Sequence, residues 1–269
     1  MLRLTLKFDS PIPVEAEMVA PDRLADLPAA IIGRLPIAHG NAIVPLGDVF
    51  HIAGSAMDGV VEVVGDCSRV KSLGAGMRKG RLSIFGNAGM HTGAGMVGGE
   101  IEVHGDAADW LGAEMRGGRI RVRGQAGDRV GVPYAGGQKG MRGGAILIDG
   151  SAGDEVGASM RRGLIAIGGS CGDFAGASMI AGSIFVFGPC GARTGAGMRR
   201  GTIARFDGGA ALPPTFRPAC TFEPAFLGLY LAALQRWGFT VPTGLEFRKV
   251  CRYSGDALAL GKGEILDLA

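Results

Sequence analysis

Methionine recurs along this chain at a fixed step. Met77, Met96 and Met115 are 19 residues apart, and so are Met141, Met160, Met179 and Met198. The single irregular gap, 26 residues from Met115 to Met141, is one unit carrying a seven-residue insertion within Val132 to Lys139. Met57, 20 residues before Met77, reads as a degenerate first unit. Each unit repeats more than its methionine. Glycine pairs six apart, such as Gly80/Gly86, Gly99/Gly105 and Gly182/Gly188, enclose short segments. In these the second and fourth residues are apolar: Leu82/Ile84, Ile101/Val103, Ile120/Val122, Ile146/Ile148, Ile165/Ile167 and Ile184/Val186. Ser83, Glu102, Arg121, Leu147, Ala166 and Phe185 lie between them and are freely exchanged. Period-two alternation of this kind predicts a strand with one face buried and the other exposed.

A strand and two glycine turns per unit, repeated, means stacking, because one unit cannot bury its apolar face alone. The pattern predicts an all-β chain: a single-stranded parallel β-helix of about eight coils. At ~4.8 Å per coil the rod would be on the order of 40 Å long. Glycine content points the same way. Of the 49 glycines, 36 lie between Gly74 and Gly208. Collagen would need a period of three, and a flexible linker would lack the regularly placed Ile, Val and Met. Left-handed hexapeptide helices repeat in sixes, and calcium-binding nonapeptides need an aspartate motif that is missing. The domain reading is 1–56 as an N-terminal cap or docking segment, 57–208 as the repeats, and 209–269 as a C-terminal extension. The extension contains an amphipathic helix over 224–237, with apolar stripe Phe226, Leu227, Tyr230, Leu231, Leu234 and Trp237.

Bulk properties exclude other classes. A net charge of +3 argues for no nucleic-acid partner. The apolar run around Ala225 to Leu234 falls short of the ~18 residues of a membrane span. The N-terminus has no signal-peptide apolar block, and five cysteines, an odd number, suit reduced thiols. The expectation is a cytoplasmic protein.

The repeat, with Leu35-Pro36-Ile37-Ala38-His39-Gly40-Asn41 and Leu46-Gly47-Asp48-Val49-Phe50 before it and Arg252-Tyr253-Ser254-Gly255-Asp256 after it, resembles the C-subunit of formylmethanofuran dehydrogenase over nearly the whole chain. The repeat alone is also similar to the C-terminal domain of the glutamate synthase large subunit. The C-subunit family has two branches. One belongs to a molybdenum or tungsten dehydrogenase. The other belongs to a bacterial formyltransferase/hydrolase complex that moves a formyl group from tetrahydromethanopterin to a methanofuran-type carrier and releases formate. In both, the resemblance implies a right-handed β-helix, a structural role, and chemistry on partner subunits. The Ala- and Arg-rich composition leans to the transferase/hydrolase. The dehydrogenase branch and a glutamate-synthase-type buttress are the alternatives.

A search for chemistry in the chain itself gives the same expectation: no catalytic, cofactor-binding or metal residues. His39, His51, His91 and His104 stand at no metal-ligand spacing with a cysteine or carboxylate. His39 reads as satisfying a loop, and His91 and His104 as solvated. Cys171 and Cys190 occupy one position on adjacent coils, where other units carry alanine, and read as small interior residues. No Cys-x-x-Cys occurs, and no glycine loop leads into a lysine-bearing helix. Aromatic residues, 6% of the chain, are too few for the sugar platforms of a β-helix glycan lyase or hydrolase. Asp109, Asp128, Asp154 and Asp173 share one repeat position and are expected to accept turn amides, each within its own coil. One column stands out. The residue after the methionine is Arg78, Val97, Arg116, Arg142, Arg161, Ile180 and Arg199, with Lys79, Arg162 and Arg200 beside it. In-register coils would make Arg78, Arg116, Arg142, Arg161 and Arg199 a basic ladder, and like charges in register repel. The ladder is therefore the candidate contact for an acidic face of a partner subunit or for the polyglutamyl tail that the family's carrier bears. A solvated face is the competing reading.

Overall fold

The structure, a computed structural model, describes every residue except Asp9, Glu246, Phe247 and Ala269. Two sheets account for the strands, one of 13 and one of four. In the large sheet the repeat strands lie side by side in chain order: Val60–Val64, Arg81–Phe85, Glu100–Val103, Arg119–Val122, Arg142–Ile148, Arg162–Ile167, Ser183–Val186 and Arg200–Arg205. Each is parallel to the next and equivalent positions pair, as in Ile101 with Ile120 and Ile165 with Ile184. A second parallel column, one bridge per unit, runs Cys67, Ala88, Ala107, Ala126, Ala152, Cys171, Cys190, Gly209. The chain thus returns to the same two lines once per unit, one strand further on each time.

Between these lines lies the core. The paired Leu, Ile and Val of the strands are buried, and the repeat methionines Met77, Met96, Met115, Met141, Met160, Met179 and Met198 are all fully buried. The methionine also explains one glycine of each unit. At Gly118, which has φ +85°, an added Cβ would sit 2.7 Å from the Met96 Cε of the unit before. The flexible thioether fills the space where that Cβ would be. Met57 is the exception, 84% exposed. It lies outside the interior file, so the degenerate first methionine is corrected: spacing alone placed it, and the side chain faces water.

The outward face of the strands departs from expectation. Leu147, Ala166 and Phe185 are fully buried, and Arg121 nearly so. Leu147, Ala166 and Phe185 form a second core with Leu227, Leu231 and Leu234 of the helix Ala225–Arg236 and with Phe239, Val241 and Leu245 after it. Phe187 stacks on Phe206 at 4.6 Å, and Phe185 meets the edge of Tyr230 at 5.2 Å. At ~1.5–3 kcal/mol per fully buried large side chain, this docking is a major contribution. Glu102, nearer the N-terminus, stays half-exposed.

Both ends of the repeat array are continued by other strands. Leu2–Leu6 pairs parallel with Val60–Val64 and antiparallel with Phe50–Gly54. At the far end Lys262–Leu268 adds parallel to Arg200–Arg205, followed by Val250–Gly255 and Arg217–Phe222 in antiparallel order. The outermost repeat strands therefore present no open edge, which limits edge-to-edge association.

Candidate functional site

The arginine column is in register. The amides of Val97, Arg116, Arg142, Arg161, Ile180 and Arg199 each donate to the carbonyl of the methionine one unit earlier, at 2.7–2.8 Å. The backbone therefore places these side chains one above another. Among the described residues, none of Arg78, Arg116, Arg142, Arg161 and Arg199 forms an ion pair. Several arginines on the strands and turns are paired, Arg3 with Glu62, Arg81 and Arg119 with Glu100, Arg121 with Asp149 and Arg129 with Glu155, whereas Arg162 and Arg200 beside the column are, like it, without an ion pair among the described residues. In addition, the Nε–H groups of Arg142 and Arg161 are buried with no hydrogen-bond partner. Guanidinium groups at one-strand spacing repel by about 1–3 kcal/mol per neighbour at effective dielectric constants between 20 and 80. Val97 and Ile180 divide the column, leaving Arg116, Arg142 and Arg161 as the uninterrupted run.

Clefts open along it, among them one of about 480 Å³ where Arg161 meets Leu229, Tyr230 and Trp237 at the C-terminal helix, and two others. One, of about 470 Å³, holds Arg78 and Arg116 with Arg23 and Asp22. Asp22 accepts the Arg78 amide at 3.2 Å, so this end contains an anion of its own. The other, of about 770 Å³, holds Arg161 and Arg199.

The aspartate file differs from expectation. Asp109 accepts the amide of Asp128, Asp128 that of Asp154, Asp154 that of Asp173, and Asp173 that of Ala192, all at 2.7–2.9 Å. Each carboxylate bonds forward to the next unit rather than inside its own, because parallel stacking brings the next amide directly over it. His91 is also corrected. It is half-buried between Trp110 and Tyr134, its Nδ1 lies 3.0 Å from Tyr134 Oη, and burial holds its pKa below the usual histidine value. His104 is exposed and stacks on Phe85 at 4.4 Å. His39 Nε2 lies 2.9 Å from Ser10 Oγ. Among the described residues, no three His, Cys, Asp or Glu converge as a metal site. Cys171 and Cys190 are bridge neighbours in the interior, where burial pushes the Cys171 thiol well up and that of Cys190 to about 11.

Sequence reasoning missed one file. Ser72, His91, Trp110, Arg129, Glu155, Phe174 and Arg193 each hold the same left-handed turn position, with φ between 57° and 65°. Arg129 lies over Trp110 at 5.2 Å and Arg193 over Phe174 at 5.0 Å. The only sequence signal is position, since the residue types have nothing in common.

No family model matches the chain. Over 88 residues it is 42% identical to the C-subunit of the molybdenum-containing formylmethanofuran dehydrogenase 1 of Methanothermobacter marburgensis, a stretch covering 32% of this chain and 22% of that protein. It is 41% identical over 84 residues to the same subunit of Methanosarcina barkeri, 30% of this chain and 28% of that one. With the C-subunit of the tungsten-containing dehydrogenase 2 of Methanothermobacter thermautotrophicus it shares 40% identity over 92 residues, 33% and 34% of the two chains. The matches therefore span only about a fifth to a third of these relatives' lengths. A chain in the crystal structure of the formyltransferase/hydrolase complex of Methylorubrum extorquens with methylofuran is similar throughout. The TM-score is 0.93, the identity 36%, and 99% of each chain is covered.

Proposed function

Since the chain belongs to the C-subunit family of formylmethanofuran dehydrogenases and formyltransferase/hydrolase complexes, we propose that it is the structural subunit of a formyltransferase/hydrolase complex. In this reading the complex transfers a formyl group from tetrahydromethanopterin to a methanofuran-type carrier and releases formate. Partner subunits perform the reaction, and this chain contributes shape, contacts and charge without a catalytic, cofactor or metal site. The observation that carries the reading is the end-to-end likeness to a chain of such a complex. An interior filled by buried aliphatic and thioether side chains supports it.

The finer architecture follows. Two parallel ladders visited once per unit, in register apart from one shift between Arg142 and Ala145, support a right-handed β-helix, since parallel crossovers are right-handed in nearly all proteins. Residues 1–56 and 209–269 then serve as caps, the latter also as a clamp on the outer face. No helix is long and apolar enough to cross a membrane among the described residues, which fits a cytoplasmic complex. The unpaired arginine column supports a contact with an anionic partner surface or with a polycarboxylate tail of the carrier.

Purification of the chain with its native partners tests the proposal. The expected result is a hetero-oligomer that transfers and hydrolyses formyl groups and holds neither molybdenum nor tungsten. The likeness to the archaeal subunits favours one second reading, the C-subunit of a dehydrogenase. Molybdenum or tungsten with iron–sulfur in the purified complex would establish that reading instead.

A further inference from the structure

Two departures from the repeat meet over one stretch of the arginine column. The first is the insertion between Val132 and Lys139. Its Tyr134 stacks on Trp110 at 5.3 Å, and the Tyr134 amide donates to Glu114 Oε1 at 3.2 Å. Pinned there, the insertion turns and sends Gly137 and Gln138 along one side of the 770 Å³ cleft. The second departure is the turn after Val250–Gly255. Asp256 is buried and accepts the amides of Gly197 at 2.8 Å and Leu258 at 2.9 Å. That anchor fixes the turn to the last repeat unit and sets Leu258, Ala259 and Leu260 along the opposite side.

The floor is the column itself, Arg161, Ile180 and Arg199, beside the hydroxyls of Ser159 and Ser178. Among the described residues no carboxylate lines the cleft, and Asp256 is occupied beneath it. Arg161 contributes a buried Nε–H without a partner. The rim is apolar on one side only, with Leu258 85% and Leu260 49% exposed. In a repeat fold, insertions that converge on one face mark the binding face. Here two segments, about 120 residues apart in sequence, wall the same cationic floor.

We propose that this cleft seats an extended acidic segment of a partner subunit, with one apolar side chain packed between Ile180 and Leu258. The inference rests on the reading of the chain as a complex subunit. Charge complementarity selects the acidic character, since the floor offers two guanidinium groups and no anion. The exposed leucines select a protein segment over a bare polycarboxylate chain, which would neutralise the arginines and leave Leu258 and Leu260 in water.

The test uses the intact complex carrying the photo-crosslinker p-benzoylphenylalanine in place of Leu258. Irradiation should join it to a partner peptide rich in Asp and Glu, identified by mass spectrometry. Arg161→Glu combined with Arg199→Glu should abolish that adduct and weaken assembly at least tenfold at low salt, while the paired Arg→Lys variant retains both. A melting curve of the isolated variant chain shows whether it is folded. If it is not, Ser178→Glu, an exposed position on the same floor, serves in its place. Adducts only within the chain itself, or with the carrier's tail, overturn the inference while leaving the complex intact. A preparation in which no formyl-transferring partners copurify removes the underlying reading instead.

Discussion

The carboxylate of Asp109 accepts the backbone N–H of Asp128, one repeat unit further along, at 2.9 Å. The same bond then passes from Asp128 to Asp154 and from Asp154 to Asp173. A side chain thereby does what a sheet hydrogen bond does, tying each repeat unit to the next outside the sheet. Asp128→Ala should leave the Asp154 amide without its acceptor and cost about 1–2 kcal/mol. Hydrogen exchange at Asp154 should quicken selectively, and thermal unfolding should come a few degrees earlier.

Glycine at 112 and glutamate at 102 should differ sharply in tolerance. Gly112 has φ +60°, and a Cβ there would lie 2.6 Å from Ile146 Cδ1. Gly112→Val combines backbone strain with overpacking and should cost several kcal/mol, on the order of 3–5. Glu102 meets Arg123 in a partly exposed ion pair. Glu102→Ala should cost about 0–1 kcal/mol in the isolated chain. Denaturant titration of the two variants measures both.

The outer core predicts a different failure. Phe185 is fully buried and touches the C-terminal helix through Tyr230. Phe185→Ala should cost about 3–5 kcal/mol. Its signature should be loss of hydrogen-exchange protection in Ala225–Arg236 before loss of the repeat strands, because the interior methionine file lies on the other side of the sheet.

Thiol reactivity should sort by burial. Cys67, Cys171 and Cys190 are buried, Cys220 is exposed and Cys251 half-buried. Burial pushes the Cys67 thiol to about 12, so thiolate is scarce at neutral pH. Iodoacetamide at neutral pH should label Cys220 first and Cys251 more slowly. The other three should react only after denaturation, as peptide mapping would show.

Asp256 makes the C-terminal turn sensitive to acid. Burial alone would raise its pKa, but the amides of Gly197 and Leu258 outweigh that and hold it below the ordinary carboxylate value. A folded pKa below the unfolded value of about 3.9 contributes stability that is complete above that value and is lost as pH falls through the folded pKa. Stability attributable to the turn should therefore be flat from about pH 7 to 5 and decline below about pH 4. Asp256→Asn should flatten that acid limb, read as melting temperature against pH.

The nineteen-step repeat was legible because each unit must satisfy the same neighbours, so residue types recur wherever the backbone geometry recurs. Gly118 and Met96 illustrate it: the space one lacks is the space the other fills, and both recur together. The arginine column was equally legible, since register follows from spacing. Even the contrast between paired Arg119 and unpaired Arg116 follows from register. Arg119 lies beside Glu100, while the neighbours of Arg116 on the flanking units are Val97 and Arg142.

What only the tertiary structure decided involves residues with no periodic relation. The carbonyl of Trp237 accepts from Arg121 at 2.8 Å across 116 residues of chain, and the helix before it buries Leu147 and Phe185, which alternation alone would leave in water. Tyr134 and Asp256 likewise place their segments on opposite sides of one cleft. A repeat determines its own interior because every contact there is with a copy of itself. What covers its outer face is set by a non-repeating segment free to dock where its own apolar surface is best buried.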